Sequence, residues 1–250
     1  MTAPLPPRKK KAVQVFQLLP NMLTIAAICA GLTAIRFGYD GNYEMSVRLI
    51  LLACILDGLD GRLARMMNSA SEIGAELDSL ADFLNFGVAP ALILHSWALQ
   101  DYRGGWIAVL SYAICCVLRL ARFNVSSRME MDKPASDYFV GVPSPAGAIL
   151  VLLPMVVSFA LPDVSPLHPI AVGLYICLIG LLMISRIPTY SFKNFSIDHE
   201  NAKYFLLGGV LLVAALLTYL WTVLSVLTFC YIGLLFWGLV ASRRSKKPSP

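Results

Sequence analysis

The sequence has little charge for its length. Of its 250 residues only 14% are Asp, Glu, Lys or Arg, whereas a soluble domain carries roughly 25%. Hydrophobic residues make up 58% of the chain, and the mean hydropathy is +0.70. Because so few polar side chains are available to cover a water-exposed surface, the composition excludes a typical soluble enzyme. We expect an all-α polytopic membrane protein.

The chain also lacks paired cysteines and clustered histidines. All six cysteines fall inside apolar segments at spacings that match no metal motif, and we interpret them as small apolar packing residues. No histidine has a second metal ligand near it in the sequence. Both a disulfide scaffold and a His/Cys metal site are therefore excluded. The cysteines are Cys29, Cys54, Cys115, Cys116, Cys177 and Cys230, and the histidines are His95, His168 and His199.

Two sequence features of other membrane proteins are missing as well. The start of the chain does not resemble a cleaved signal peptide, because Pro4, Pro6 and Pro7 precede a basic run and no small-residue cleavage site follows an early apolar core. No internal repeat is visible, so the inverted repeat typical of many transporters is absent.

What the chain does contain is a series of apolar runs, each long enough to cross a hydrocarbon core of ~30 Å. They predict eight helices, with short turns between most of them. The predicted helices are 15–37, 46–67, 72–98, 105–125, 143–161, 169–187, 203–219 and 222–241.

The basic residues predict how these helices are oriented. With the N-terminus in the cytoplasm, all 20 Lys and Arg residues except Arg36, Arg48 and Arg103 fall on the cytoplasmic side. We interpret the net charge of +5 as a sign of this topology and of contact with anionic lipid head groups; nothing indicates a nucleic-acid partner. The expected location is the bacterial plasma (inner) membrane, with both termini in the cytoplasm.

Against this apolar background, four aspartates stand in one frame across the second and third helices. The frame reads Asp57-x-x-Asp60-Gly61-x-x-Ala64-Arg65, then eight residues, then Gly74-x-x-x-Asp78-x-x-x-Asp82. Successive helical residues turn by about 100°, so the members on each helix share one face. Only a short reversal fits at 66–71, which makes the two helices antiparallel neighbours. The four carboxyl groups are thus expected to meet near the cytoplasmic ends.

Carboxylates in a membrane need compensation, since each costs on the order of 2.5–3.5 kcal/mol at a helix centre. Two divalent cations, Mg²⁺ or Mn²⁺, would neutralise four such groups and suit phosphate chemistry. In the same picture, Gly61 and Gly74 leave room for a diphosphate, and Arg65 can bind a phosphate oxygen. Ser69 with Glu72 fits a capping box at the start of the third helix.

The full frame resembles the CDP-alcohol phosphatidyltransferase family, at every position and with the eight-residue gap intact. The resemblance covers at least the first six helices and implies a six-helix core with a cytoplasm-facing two-metal site. It implies that the four aspartates bind the metals and that Asp82 is also the general base. Gly61, Arg65 and Gly74 would contact the CDP group. A homodimer is also implied.

The first helix begins Pro20-Asn21-x-x-Thr24, which is similar to the entry motif of the same family. The resemblance implies that Asn21 and Thr24 also face the nucleotide. From the residues alone, both side chains fit equally well as hydrogen-bond partners of a neighbouring helix.

With this resemblance the chain divides into four parts. Residues 1–14 are a basic cytoplasmic N-terminus and 15–190 the six-helix catalytic core. Residues 191–241 comprise a cytoplasmic loop and two additional transmembrane helices, and 242–250 are a basic cytoplasmic tail. The last two helices carry almost no polar residues, which favours an addition to the core.

The acceptor substrate is indicated by a second region. The fourth helix ends Arg119-Leu-Ala-Arg122-Phe-Asn124, and a later stretch, 139–146, reads Phe-Val-Gly-Val-Pro-Ser-Pro-Ala. Both resemble the membrane-integral phosphatidylserine synthases, which implies CDP-diacylglycerol and L-serine as substrates. Arg119 and Arg122 would bind the serine carboxylate, with Asn124 beside them. Arginines that only anchor the helix at the membrane interface are the alternative.

Other functions remain open at this point. A transferase that acts on glycerol-3-phosphate or inositol phosphate would need arginines near its acceptor too. A cation transporter or channel would explain the four acids, but it gives Gly61, Arg65 and Gly74 no role. A non-catalytic assembly protein would need no intact acid set.

Overall fold

The chain is mainly helical in a computed structural model that describes residues 18–67, 71–129, 138–165, 167–185, 188–190 and 202–245. The basic segment predicted at 1–14 and residue Ser69 lie outside these ranges. The helices are α1 (Leu19–Tyr39), α2 (Tyr43–Met66), α3 (Glu72–Leu99), α4 (Gly105–Met129), α5 (Ser144–Ala160), α6 (Pro169–Ile184), α7 (Ala202–Thr218) and α8 (Leu220–Ser245).

The apolar helices confirm a polytopic, all-α integral membrane protein. Within the described ranges, α1, α3, α4 and the stretch Leu220–Gly238 of α8 are long and apolar enough to cross a membrane. Helices α5, α6 and α7 are apolar but shorter. The helix boundaries differ from the predicted ones by a few residues, because sequence patterns locate helices better than helix ends.

A small strand pair joins two of the loops, which the sequence analysis did not predict. Strand β1 (Tyr138–Val140) pairs antiparallel with β2 (Pro188–Tyr190), with Phe139 opposite Thr189. Gly141 follows β1 with φ of +87°, and a Cβ there would lie 2.8 Å from the carbonyl oxygen of Ser185. Glycine therefore lets the chain turn tightly from β1 into α5.

Helices α1 and α2 form a close antiparallel hairpin because small residues line their contact. Ala27, Ala30 and Ala53 are all buried between them. At the turn, the side chain of Asn42 accepts a hydrogen bond from the backbone N–H of Met45 and caps α2. This hairpin fixes the position of α2, which carries the first half of the aspartate frame.

Helix α3 contains a π-helical segment, Phe83–Val88, directly after Asp82. Pro90 has no N–H to donate to the carbonyl of Phe86, four residues earlier. The buried hydroxyl of Tyr112 on α4 donates to that carbonyl instead, at 2.9 Å. The widened turn thereby keeps its backbone satisfied and is tied to the neighbouring helix.

The same arrangement recurs in α5, which lies at the centre of the core with most of its side chains buried. Pro154 lies inside this helix and leaves the carbonyl of Leu150 without an intrahelical donor. The hydroxyl of Tyr175 on α6 donates to the Leu150 carbonyl at 2.7 Å. Tyrosine hydroxyls thus compensate for two helix-interior prolines where no water is available.

The last two helices lie at the edge of the bundle. Helix α8 packs against α5, whereas α7 packs mainly against α8 and is exposed along most of its length. Leu224 of α8 is buried in the main apolar cluster, and the division into a six-helix core with two added helices stays a prediction.

The pairing of Tyr175 with Pro154 gives a testable prediction. Tyr175→Phe should lower the unfolding free energy in detergent by roughly 0.6–2 kcal/mol, because it removes an interhelical hydrogen bond in an apolar environment. In the Pro154→Ala background the same change should cost almost nothing, because the alanine N–H donates to Leu150. Tyr219→Phe, at an exposed tyrosine, is the control. An equal cost of Tyr175→Phe in both backgrounds would show that the hydroxyl does not compensate for the proline.

Candidate functional site

The site is built where α2 ends and α3 begins. Ser71 is the N-cap of α3, and its hydroxyl accepts a hydrogen bond from the backbone N–H of Gly74 at 3.0 Å. The predicted capping box, in which Ser69 caps the helix, is therefore wrong. The change of cap does not alter which face the aspartates share, since Asp57 and Asp60 lie within α2 and Asp78 and Asp82 within α3.

Three of the four aspartates form a compact group. Asp57 and Asp60 on α2 and Asp78 on α3 each offer a carboxylate oxygen, and these oxygens lie within 4.8 Å of one another. Asp60 is buried, and its Oδ1 has no hydrogen-bond partner among the described residues. Hard carboxylate oxygens at this separation fit a divalent cation such as Mg²⁺ or Mn²⁺, and the unpartnered Oδ1 of Asp60 is a further available ligand atom.

Asp82 lies one helical turn deeper than Asp78. Its carboxyl group is within hydrogen-bonding reach of Asp57, and its Oδ1 is buried without a partner in the described part of the chain. Its charge also interacts with that of Arg119 from α4. Asp82 is therefore close both to another acid of the frame and to a cation.

A cavity of about 150 Å³ opens beside Asp60 and Asp78, and Arg119 is not among its lining residues. It lies between the first turns of α1, the end of α2 and the start of α3. Its lining includes two carboxylates and several small side chains, which leaves space for a ligand close to the helix backbones. The lining residues are Pro20, Asn21, Thr24, Asp60, Gly61, Ala64, Ser71, Gly74, Ala75 and Asp78.

The two glycines of the frame have different surroundings. A Cβ on Gly61 would meet no atom within 4 Å, so this glycine borders open space in the cavity. A Cβ on Gly74 would lie 2.9 Å from Oδ1 of Asn21. Gly74 therefore leaves room for the Asn21 side chain, and Gly61 leaves room for a ligand.

Arg65 and Thr24 already have protein partners. The Nε of Arg65 donates to the carbonyl of Gly61, one turn earlier, and its side chain is exposed at the mouth of the site. Thr24 is buried, and its hydroxyl lies 2.6 Å from Oδ2 of Asp60. Of the predicted nucleotide residues, Asn21, Thr24, Gly61 and Gly74 line the cavity, whereas Arg65 lies beside it.

The three residues predicted to bind serine are separated in the structure. Arg119 is partly buried and donates a hydrogen bond to the hydroxyl of Ser144 at the start of α5. Arg122 is exposed and donates to the carbonyl of Ile184 at the end of α6, at 2.7 Å. Asn124 donates to Ser79 on α3 at 3.0 Å. Only Arg119 thus lies next to the acids.

Ser144 is a site residue that the sequence analysis did not single out. It is fully buried and holds the guanidinium group of Arg119 from the first turn of α5. It lies within the Pro143-Ser-Pro145 stretch already recognised as a motif. A hydroxyl residue between two prolines at the start of an apolar helix is the sequence feature that points to Ser144.

Comparisons with known proteins agree with this geometry. The family model for CDP-alcohol phosphatidyltransferase matches residues 17–221. The chain is 40% identical over 233 residues to a CDP-diacylglycerol–serine O-phosphatidyltransferase of Mycobacterium leprae, covering 90% of this chain and 76% of that protein. It is 35% identical over 189 residues to the enzyme of that name in Bacillus subtilis, covering 74% and 98%.

A shorter match has higher identity. A CDP-diacylglycerol–serine O-phosphatidyltransferase of Mycobacterium tuberculosis is 48% identical over 148 residues, which is 58% of this chain. The chain spans about half the length of that relative, 51%.

Proposed function

The chain belongs to the CDP-alcohol phosphatidyltransferase family, and from that premise we propose that it transfers the phosphatidyl group of CDP-diacylglycerol to the hydroxyl of L-serine, releasing CMP. The observation that carries this proposal is the set of groups that the site brings together. A cavity lies beside the group of three carboxylates, and Asp82 is close to Asp57 and to Arg119. This set supports a diphosphate in the cavity, Asp82 as the base and Arg119 as the partner of the serine carboxylate.

The acids supply the cation site in this proposal. Asp57, Asp60, Asp78 and Asp82 would hold two divalent cations, Mg²⁺ or Mn²⁺. When bound, such ions neutralise the acids and stabilise charge on the diphosphate and on the leaving CMP. The bare oxygens of Asp60 and Asp82 support this assignment, because buried carboxylate oxygens are rarely left without a partner.

The nucleotide side of the site is the cavity. Gly61 borders open space there, so a diphosphate can approach the α2 backbone closely. Asn21, held against Gly74, presents an amide to the same space. Arg65 lies at the mouth, where a change of rotamer would bring its guanidinium group onto a phosphate oxygen.

Asp82 is the general base in the proposed reaction. The serine hydroxyl gives its proton to the carboxylate of Asp82 while its oxygen forms a bond to the lipid-side phosphorus. The bond between that phosphorus and the bridging oxygen breaks, and the electron pair leaves with CMP. Oδ1 of Asp82 is buried, so water has little access to this atom, which would limit hydrolysis of the nucleotide lipid.

Arg119 is the residue that we assign to the serine carboxylate. Ser144 holds its guanidinium group, and its Nε is buried without a partner among the described residues. A planar guanidinium can bind a carboxylate through two parallel N–H···O bonds. Arg122 and Asn124 contribute by tying α4 to α6 and α3, respectively.

The orientation and division of the chain complete the proposal. The basic residues support a site that faces the cytoplasm, with residues 15–190 as the catalytic core and the last two helices as an addition. The bacterial relatives support the plasma membrane as its location. A homodimer is proposed from family membership.

The acceptor assay tests this function directly. Purified protein with CDP-diacylglycerol and Mg²⁺ or Mn²⁺ should release CMP when L-serine is added, and mass spectrometry should detect phosphatidylserine. Asp82→Asn should lower kcat by roughly 10²–10⁴-fold, because a general base contributes that much. CMP release that requires glycerol-3-phosphate or inositol phosphate and ignores serine would refute the choice of acceptor. Near-normal turnover by folded Asp82→Asn would refute the base.

The two arginines should differ in their effect on serine binding. Arg119→Lys should raise the KM for serine by roughly tenfold or more, because it removes charge-assisted hydrogen bonds worth about 1.5–3 kcal/mol. Arg122→Lys keeps a donor for Ile184 and should change the KM for serine by no more than about twofold, because surface substitutions usually cost about 0.5 kcal/mol or less. The KM for CDP-diacylglycerol is the internal control. A larger serine effect at Arg122 would contradict the assignment.

A further inference from the structure

The contact between Thr24 and Asp60 is the shortest link between α1 and the group of acids. Both residues are only 4% exposed, and the Thr24 hydroxyl lies 2.6 Å from Oδ2 of Asp60. A hydrogen bond of this length to a carboxylate is of the strong, charge-assisted kind. It joins the second turn of α1 to the end of α2.

The Thr24 side chain adopts a common helical rotamer. Its Oγ1 lies 3.1 Å from the carbonyl oxygen of Pro20, one turn earlier, which is a second but longer contact of the same proton. Threonine has only two common rotamers in a helix, and one of them brings Oγ1 to the carbonyl one turn earlier. The hydroxyl is therefore positioned before any ligand binds.

The direction of the hydrogen bond decides what Thr24 can do. A hydroxyl has one proton, and the shorter contact gives it to Asp60. A phosphate oxygen is also an acceptor, so Thr24 has no second proton for a nucleotide phosphate. The bond occupies Oδ2 of Asp60, while Oδ1 is buried and has no hydrogen-bond partner in the described part of the chain.

We propose that Thr24 is a positioning residue that fixes the Asp60 carboxylate so that Oδ1 points at a divalent cation, rather than a residue that contacts the nucleotide. The inference rests on the cation site of the proposed function, but not on the identity of the acceptor. Outer partners of metal-binding carboxylates fix their orientation, and their loss costs roughly 10- to 100-fold in metal affinity.

Mn²⁺ binding tests this role without relying on turnover. The affinity of the purified full-length protein for Mn²⁺ is measured by EPR in detergent, with no nucleotide present. Thr24→Val keeps the shape and removes the hydroxyl, and it should raise the Kd roughly 10- to 100-fold. Thr24→Ser keeps the hydroxyl and should stay within about threefold of the wild type, because the hydrogen bond is retained.

Thr33 provides a matched control on the same helix. Its hydroxyl bonds the carbonyl of Cys29, one turn earlier, at 2.6 Å, but it is exposed. Thr33→Val should leave the Mn²⁺ affinity unchanged. Thermal unfolding without metal reports whether each variant folds, and Thr24→Ala replaces the valine variant if that one does not.

Two results would overturn the inference. The first is an unchanged Mn²⁺ affinity in folded Thr24→Val. The second is weaker CDP binding by this variant at saturating Mn²⁺ with an unchanged Mn²⁺ affinity in the absence of CDP, which would make Thr24 a nucleotide contact. A wild type that binds Mn²⁺ with this Thr24 dependence but produces no phosphatidylserine would instead refute the proposed acceptor. The two failures are therefore distinguishable.

Discussion

The structure as a whole depends on carboxylate oxygens that are buried away from water and have no hydrogen-bond donor. Oδ1 of Asp60 and Oδ1 of Asp82 are both buried with no partner in the described residues, and Asp57 and Asp78 lie within reach of them. An apolar helix bundle would not retain such groups for stability, because each raises the free energy of the folded state. Bound cations would offset the repulsion between these acids, so the site and its proposed cations have to be considered together.

The fold supplies this cluster with rigid supports. The small residues between α1 and α2 bring Thr24 up to Asp60, and the cap at Ser71 starts α3 so that Asp78 and Asp82 face α2. Directly beyond Asp82, the π-helical segment is tied to α4 through Tyr112, and α4 also carries Arg119. The helices that carry the aspartates and Arg119 are thus connected by hydrogen bonds made in apolar surroundings, where such bonds are strengthened.

Much of this arrangement was readable from the sequence, because it depends on periodicity. The helical spacing of Asp57, Asp60, Asp78 and Asp82 predicted one shared face, and the apolar runs predicted the helices. Contacts between distant residues were not readable. The spacing of Arg119 and Arg122 does not show which of them lies near Asp82. Arg119 does, while Arg122 bonds the carbonyl of Ile184, and this difference depends on how α4 packs against α5 and α6. Likewise Thr24 and Gly74 have roles set by neighbours on other helices.

If these acids bind divalent cations, the wild type and Asp78→Asn should differ in their affinity for Mn²⁺. The wild type should bind Mn²⁺, and Asp78→Asn should lose more than the roughly 10- to 100-fold that an outer partner contributes. Glu44→Gln, which removes an exposed acid from the far end of α2, should bind as the wild type does. Equal Mn²⁺ affinity in wild type and folded Asp78→Asn would show that the group of aspartates does not bind the cation.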